Sequence, residues 1–148
     1  MKFKFPLASV LNHREVLERN AEIALGKEVQ KQAALEAELN ALFEEYKSLV
    51  QTRGGIDTKY AERFLDYVSY ASRLKQLSTQ KKVEIDKQKQ EVARARAELI
   101  KKTQDKKALE ILRDSQKSAF KLAEKRAEAK LTDEAALNRN RNHSREAR

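Results

Sequence analysis

Gly54-Gly55 is the only glycine pair in the chain, and Pro6 is its only proline. Glycine gives up the most backbone freedom in a helix, and proline lacks the donor that a helix interior needs. The residues on either side of the pair are helix formers, roughly 45 before it and nearly 80 after it before the composition changes. The fold class this implies is all-α: an antiparallel two-stranded coiled-coil hairpin of two long unequal helices, the second overhanging. Such a hairpin has no interior for a pocket, so function belongs on its surfaces and at its unpaired end.

Composition supports this. Of 148 residues 37% are charged and 6% aromatic, and there is no Trp. Abundant Ala, Leu, Glu, Lys and Arg at helical period belongs to a coiled coil or long helix, which buries a narrow stripe rather than a compact core. A globular enzyme is disfavoured. The net charge of +9 is uneven: residues 1–52 carry −1, residues 53–105 carry +5, and residues 106–148 carry +5. The second arm and tail are the basic part, which suits an acidic protein surface, anionic headgroups or nucleic acid. Absence of Cys excludes disulfides and thiolate metal sites. The opening Met1-Lys2-Phe3-Lys4-Phe5-Pro6 lacks a signal peptide's apolar run, and no stretch reaches the length of a membrane span.

The chain reads as one domain over 1–148, with a helix over 6–52, a turn over 53–57, a helix over 58–132 and a disordered basic tail over about 138–148. Pro6 suits a first helical turn. The first stripe follows Leu7, Val10, Leu17, Ala21 and Leu25, and resumes as Leu35, Leu39, Leu42, Tyr46 and Leu49 at spacings of 4 and 3. Glu28 and Gln32 interrupt it, and Gly26 beside them makes the middle of this arm its soft point. Asp57 is a suitable N-cap for the second helix. Its stripe runs Tyr60, Phe64, Tyr67, Ala71, Leu74, weakens at Ser78 and Lys81, and recovers at Ile85, Val92, Ala95, Leu99, Leu109 and Phe120.

Folding about Gly54-Gly55 pairs positions whose numbers sum to about 109, so that Leu49 meets Tyr60, Leu42 meets Tyr67 and Leu35 meets Leu74. The first arm then ends opposite roughly residue 102. Leu109, Ile111, Leu112, Phe120 and Leu122 are left without an internal partner, and an isolated amphipathic helix is marginal in water.

Two features stand apart from the seam. Phe43 and Tyr70 fall one step outside it near the turn, with Val50 and Val68 close by. They either thicken the tip or anchor a partner. At the open end, Arg14, Glu15, Glu18, Arg19 and Glu22 lie beside an overhang carrying Lys106, Lys107, Arg113, Lys117, Lys121, Lys125 and Arg126. That mixture is either a solvated face or a charged pin, and apolar Leu109, Leu112 and Phe120 favour the pin. No catalytic residues, metal ligands or cofactor site emerge: there is no phosphate-binding loop, His13 and His143 are far apart, and Glu44-Glu45 and Asp133-Glu134 are adjacent pairs rather than facing ones.

The opening Phe5-Pro6-Leu7-Ala8-Ser9-Val10-Leu11-Asn12-His13-Arg14, the two arms, and the end Arg126-Ala127-Glu128-Ala129-Lys130-Leu131-Thr132-Asp133-Glu134-Ala135-Ala136 together resemble the FliJ family of the bacterial flagellar type III export apparatus. The resemblance covers nearly the whole chain, on motifs of low specificity. It implies a non-enzymatic stalk, similar to the central stalk of rotary ATPases, that binds and activates the hexameric export ATPase. It also implies contact with the cytoplasmic domain of the export-gate membrane protein and an escort role for flagellar export chaperones. The expected place is the cytoplasm, peripherally associated with the membrane at the flagellar base. The gate-binding set it implies is Leu39, Phe43, Tyr46 and Val50 with Phe64, Val68, Ala71 and Lys75. The ATPase-binding set is Val10, Arg14, Leu17 and Arg19 with Leu112, Lys117, Phe120 and Arg126. The free protein is expected to be monomeric. Alternatives are the equivalent stalk of a virulence type III system, a homo-oligomeric coiled coil, and nucleic-acid binding, which the interspersed Glu and Asp and a tail without aromatics disfavour.

Overall fold

The structure, a computed structural model, describes residues 2–52 and 61–146. Gly54-Gly55, the expected turn over 53–57, the Asp57 cap and Tyr60 lie outside the described residues. Two helices account for nearly all of the rest: α1, Ala8–Thr52, 45 residues, and α2, Ala61–Glu146, 86 residues.

Local hydrogen bonding explains the start of α1. Pro6 and Leu7 form a turn instead of opening the helix. The Leu7 carbonyl accepts the first helical bond, from the Leu11 N–H at 2.9 Å, and the Ala8 N–H donates to Phe5 O at 3.2 Å. At the last described residue of α1 the Thr52 hydroxyl donates back to Leu49 O at 2.8 Å and Ser48 O at 3.1 Å.

α2 departs from expectation at its C-terminal end. It continues to Glu146, where fraying near 132 and disorder from about 138 were expected. No Gly or Pro follows Gly55, and Ala135, Ala136 and Leu137 have high helix propensity. Every residue from Lys125 to Arg145 is exposed, so no packing against α1 supports the helix here.

The chain divides into two compact units: Leu17–Lys102, and Met1–Val16 with Thr103–Arg148. In the unit Leu17–Lys102 the less exposed residues of α1 are Leu17, Glu18, Ala21, Leu25, Glu28, Gln32, Leu35, Leu39, Leu42, Tyr46 and Leu49. Those of α2 are Tyr67, Ala71, Leu74, Ser78, Lys81, Ile85, Gln88, Val92, Ala95, Leu99 and Lys102. Both rows alternate steps of three and four, apart from the adjacent Leu17 and Glu18, as a two-stranded coiled coil requires. Leu74, Ile85 and Val92 are its buried members. The helices run antiparallel: Glu28 contacts Gln88, Glu38 contacts Lys81, and Tyr46 contacts Lys75.

These contacts correct the expected register. Their residue numbers sum to about 120 rather than 109, so each α1 residue meets α2 about ten positions farther along. Leu35 does not face Leu74, nor Leu42 Tyr67. A seam of threes and fours looks alike after a slide of several residues, so apolar periodicity gives the buried face without giving the partner.

In the second unit, Leu11 is buried and Arg14 half-buried on α1. Val10 and Leu7, which the stripe assigned to the seam, are exposed. Counting back in threes and fours from Ala21 through Glu18 leads to Arg14 and Leu11, one residue away from the apolar choice. On α2, Lys106, Leu109, Arg113, Gln116 and Phe120 are half-buried.

The residues expected to overhang are only partly uncovered. Phe120 stacks on Phe3, ring centres 5.7 Å apart and tilted by 50°, and Leu109 is half-buried. Ile111, Leu112 and Leu122 remain exposed. The correction has two causes: the register carries α1 farther along α2, and the segment before α1 supplies a Phe beyond the helix.

Candidate functional site

Near the end of α1, the unit Leu17–Lys102 presents an apolar face. Phe43 and Val50, seven residues apart, lie one step outside the α1 seam, and Phe64 and Val68 lie on α2. All four are exposed, Phe43 at 48% and Phe64 at 44%. Tyr70 is exposed at 38%, in line with its off-seam position.

A shallow groove runs between the helices here, lined by Phe43, Tyr46, Leu74, Lys75, Ser78, Thr79 and Lys82. Lys75 Nζ stands 5.8 Å from the centre of the Tyr46 ring, and Lys82 Nζ stands 5.4 Å from that of Phe43. Each ammonium is attracted by an aromatic face, a contact worth about 0.5–1 kcal/mol at exposed sites. The lysines thereby place positive charge beside apolar surface.

The gate-binding set from sequence is accordingly divided. Phe43, Val50, Phe64, Val68 and Lys75 are exposed, whereas Leu39, Tyr46 and Ala71 are half-buried on the seam. Phe64 has the phase of a seam residue, seven before Ala71, yet no described residue of α1 covers it. α1 ends at Thr52, and the register sets that end level with about residue 68 at 1.5 Å per residue on each helix. Lys82 contributes to this face and was missed by the sequence pattern. Its signal is its place opposite Phe43, which only the register reveals.

On the other side of the same helix pair, a groove is lined by Glu38, Ala41, Leu42, Leu77, Gln80, Lys81 and Glu84. Lys81 lies 2.6 Å from Glu38 across the helices and 3.1 Å from Glu84 on its own helix. The hydrogen bond it donates to Glu38, then the one it donates to Glu84, raises its pKa above the ordinary 10.5. That side is neutralised by its own ion pairs and differs from the aromatic face.

The ATPase-binding set also divides. In the unit built from the two chain ends, Val10, Leu112, Lys117 and Arg126 are exposed. Arg14 is half-buried, its Nη1 3.4 Å from Asp105 Oδ2, and Phe120 is occupied by Phe3. Leu17, half-buried, and Arg19, exposed, belong to the other unit. Among the described residues there is no cluster of His, Cys, Asp and Glu fit to hold a metal ion. No helix among them is long and apolar enough to cross a membrane.

Comparison with curated proteins and with solved structures gives no match. The family described as flagellar FliJ protein matches residues 3–145, which span α1 and all but the last residue of α2. The chain belongs to the flagellar FliJ protein family, whose members are non-enzymatic components of the flagellar export apparatus.

Proposed function

We propose that this protein is a stalk-like coupling factor of flagellar type III export, which binds and activates the export ATPase ring and links it to the export gate. The observation that carries the reading is the exposed face of Phe43, Val50, Phe64 and Val68, bordered by Lys75 and Lys82, on a chain of this family. Aromatic and aliphatic side chains held out on a coiled coil are anchors that need no folding on contact. Leu39, Tyr46 and Ala71 support them from the seam. This face is assigned to the cytoplasmic domain of the gate protein.

The ATPase side is assigned to the unit of residues 1–16 and 103–148. It offers Val10, Leu112, Lys117 and Arg126 for contact, while Arg14 and Phe120 hold the helices together behind them. An escort role for export chaperones and a cytoplasmic, membrane-peripheral place at the flagellar base follow from the same assignment.

Two measurements test it. Added to the export ATPase, the protein raises the hydrolysis rate and the population of rings; no change in either would sink the ATPase assignment. Titrated with the gate protein's cytoplasmic domain, it binds, and Phe43→Ala with Val68→Ala weakens binding. Undiminished binding by that variant removes the face from the proposal.

A further inference from the structure

Two parts of the seam favour different registers. The middle is polar: Gln88 Nε2 donates to Glu28 Oε2 at 2.6 Å and to the Glu28 carbonyl at 3.0 Å. Seven residues before Gln88, Lys81 pairs with Glu38. At the end of the unit Phe64 has a seam phase, yet no described residue of α1 covers it and it remains 44% exposed.

Slide α2 by one heptad toward the start of α1, and the end improves. Leu49 then stands opposite Phe64 and Tyr46 opposite Tyr67, so an exposed aromatic enters the seam. Heptad phase is kept, and no apolar row turns outward. The middle worsens in the same movement. Gln88 comes between Ala21 and Leu25, which offer it no side-chain partner, and Glu28 comes against Ile85. Lys81 leaves Glu38 and approaches Lys31, exchanging an ion pair for like charges. Polar seam groups without partners cost more than their hydrogen bonds contribute when made, and a polar seam residue is a known means of fixing register.

We infer that the Glu28–Gln88 layer, reinforced by Lys81 with Glu38, is a register lock that holds the hairpin one heptad away from a competing pairing and thereby keeps Phe64 exposed. The inference concerns this chain alone and stands whether or not the exposed face binds the export gate. Its consequence for the face is direct, since a slide would bury Phe64 and move Lys82 away from Phe43 together.

The chain has no Cys, so disulfide trapping in the full-length protein reads register without background. Leu42→Cys with Ser78→Cys reports the observed pairing. Leu42→Cys with Ala71→Cys reports the slipped one. With the lock intact, oxidation at high dilution closes the first pair, and the second stays at the level of a minor state, about 1%. In a Glu28→Leu/Gln88→Leu background the slipped pair rises at least about tenfold, to the upper range of minor-state populations or beyond. Adding Phe64→Ser to that background returns it to the starting level. Leucines in the seam favour coiled-coil pairing in either register, so the background variant folds, and far-UV circular dichroism confirms its helix content. A slipped pair that stays at its starting level in the leucine background would overturn the inference, as would equal closure of the two pairs with the lock intact.

Discussion

Gln88 on α2 donates its side-chain amide across the seam to the Glu28 carboxylate at 2.6 Å, and this bond holds the Glu28 pKa below its ordinary 4.5. The bond from Lys31 acts the same way, and partial burial opposes both. A lowered carboxylate pKa contributes stability that is fully present above the unfolded value and is lost as pH falls from there through the folded value. Thermal melts at neutral pH and at stepwise lower values below about 4.5 should therefore show a stability loss in the native protein. Gln88→Leu should flatten part of that dependence while lowering stability at neutral pH, because Glu28 keeps its charge and loses its donor across the seam. An unchanged acid slope in Gln88→Leu would separate Gln88 from the titration of Glu28.

Gly26 illustrates a weakness without a visible function. It lies inside α1, and a Cβ built on it would meet nothing within 4 Å. Gly26→Ala therefore gains helix propensity at no steric cost, about 0.8–1 kcal/mol. For a chain of this length that corresponds to a rise in Tm of roughly 2–4 °C, measurable by calorimetry. A fall in Tm would mean that the glycine serves a local distortion of α1.

Phe3 and Phe120 give a third prediction. Their tilted rings, 5.7 Å apart, have the geometry of an aromatic pair worth about 0.5–1.5 kcal/mol beyond buried area. A double-mutant cycle of Phe3→Ala and Phe120→Ala should give a coupling of that size in urea-induced unfolding, with the two single losses not additive. Additive losses would show that each ring is held by other neighbours.

Much of this was legible in the residues. Helical class and the phase of the seam from Glu28 to Leu49 follow from composition and from steps of three and four, which is why Leu39, Leu42 and Tyr46 are half-buried and Phe43 is exposed. Pairing was not legible. Leu35 set opposite Leu74 satisfies the heptad pattern as well as the observed arrangement does, and only polar matches such as Glu38 with Lys81 distinguish them. Lys82 beside Phe43 and Phe3 over Phe120 both depend on that choice. The phase at the start of α1 was misplaced for another reason. Leu7 and Val10 are more obvious apolar candidates than Arg14, yet the unbroken count leads through Arg14, whose charge is met by Asp105.

Leu74 and Phe43 separate folding from recognition. Leu74 is 2% exposed in the seam, whereas Phe43 is 48% exposed, its ring faced by the Lys82 ammonium. Truncating a buried Leu removes its transfer energy and leaves a cavity, about 2–5 kcal/mol in a well-packed core. A two-helix seam relaxes more easily than such a core, so Leu74→Ala should fall toward the lower end. Phe43→Ala loses only the area it shares with the groove and should cost less than about 1 kcal/mol, in the range of surface substitutions with one weak contact. Binding should rank them the other way. With the gate protein's cytoplasmic domain, Phe43→Ala should weaken affinity by more than tenfold, the effect of losing an anchor worth over about 1.4 kcal/mol. Leu74→Ala, measured below its own melting temperature, should bind nearly as the native protein does. Equal loss of binding in the two variants would mean that the partner reads the fold of this unit rather than the side chain of Phe43.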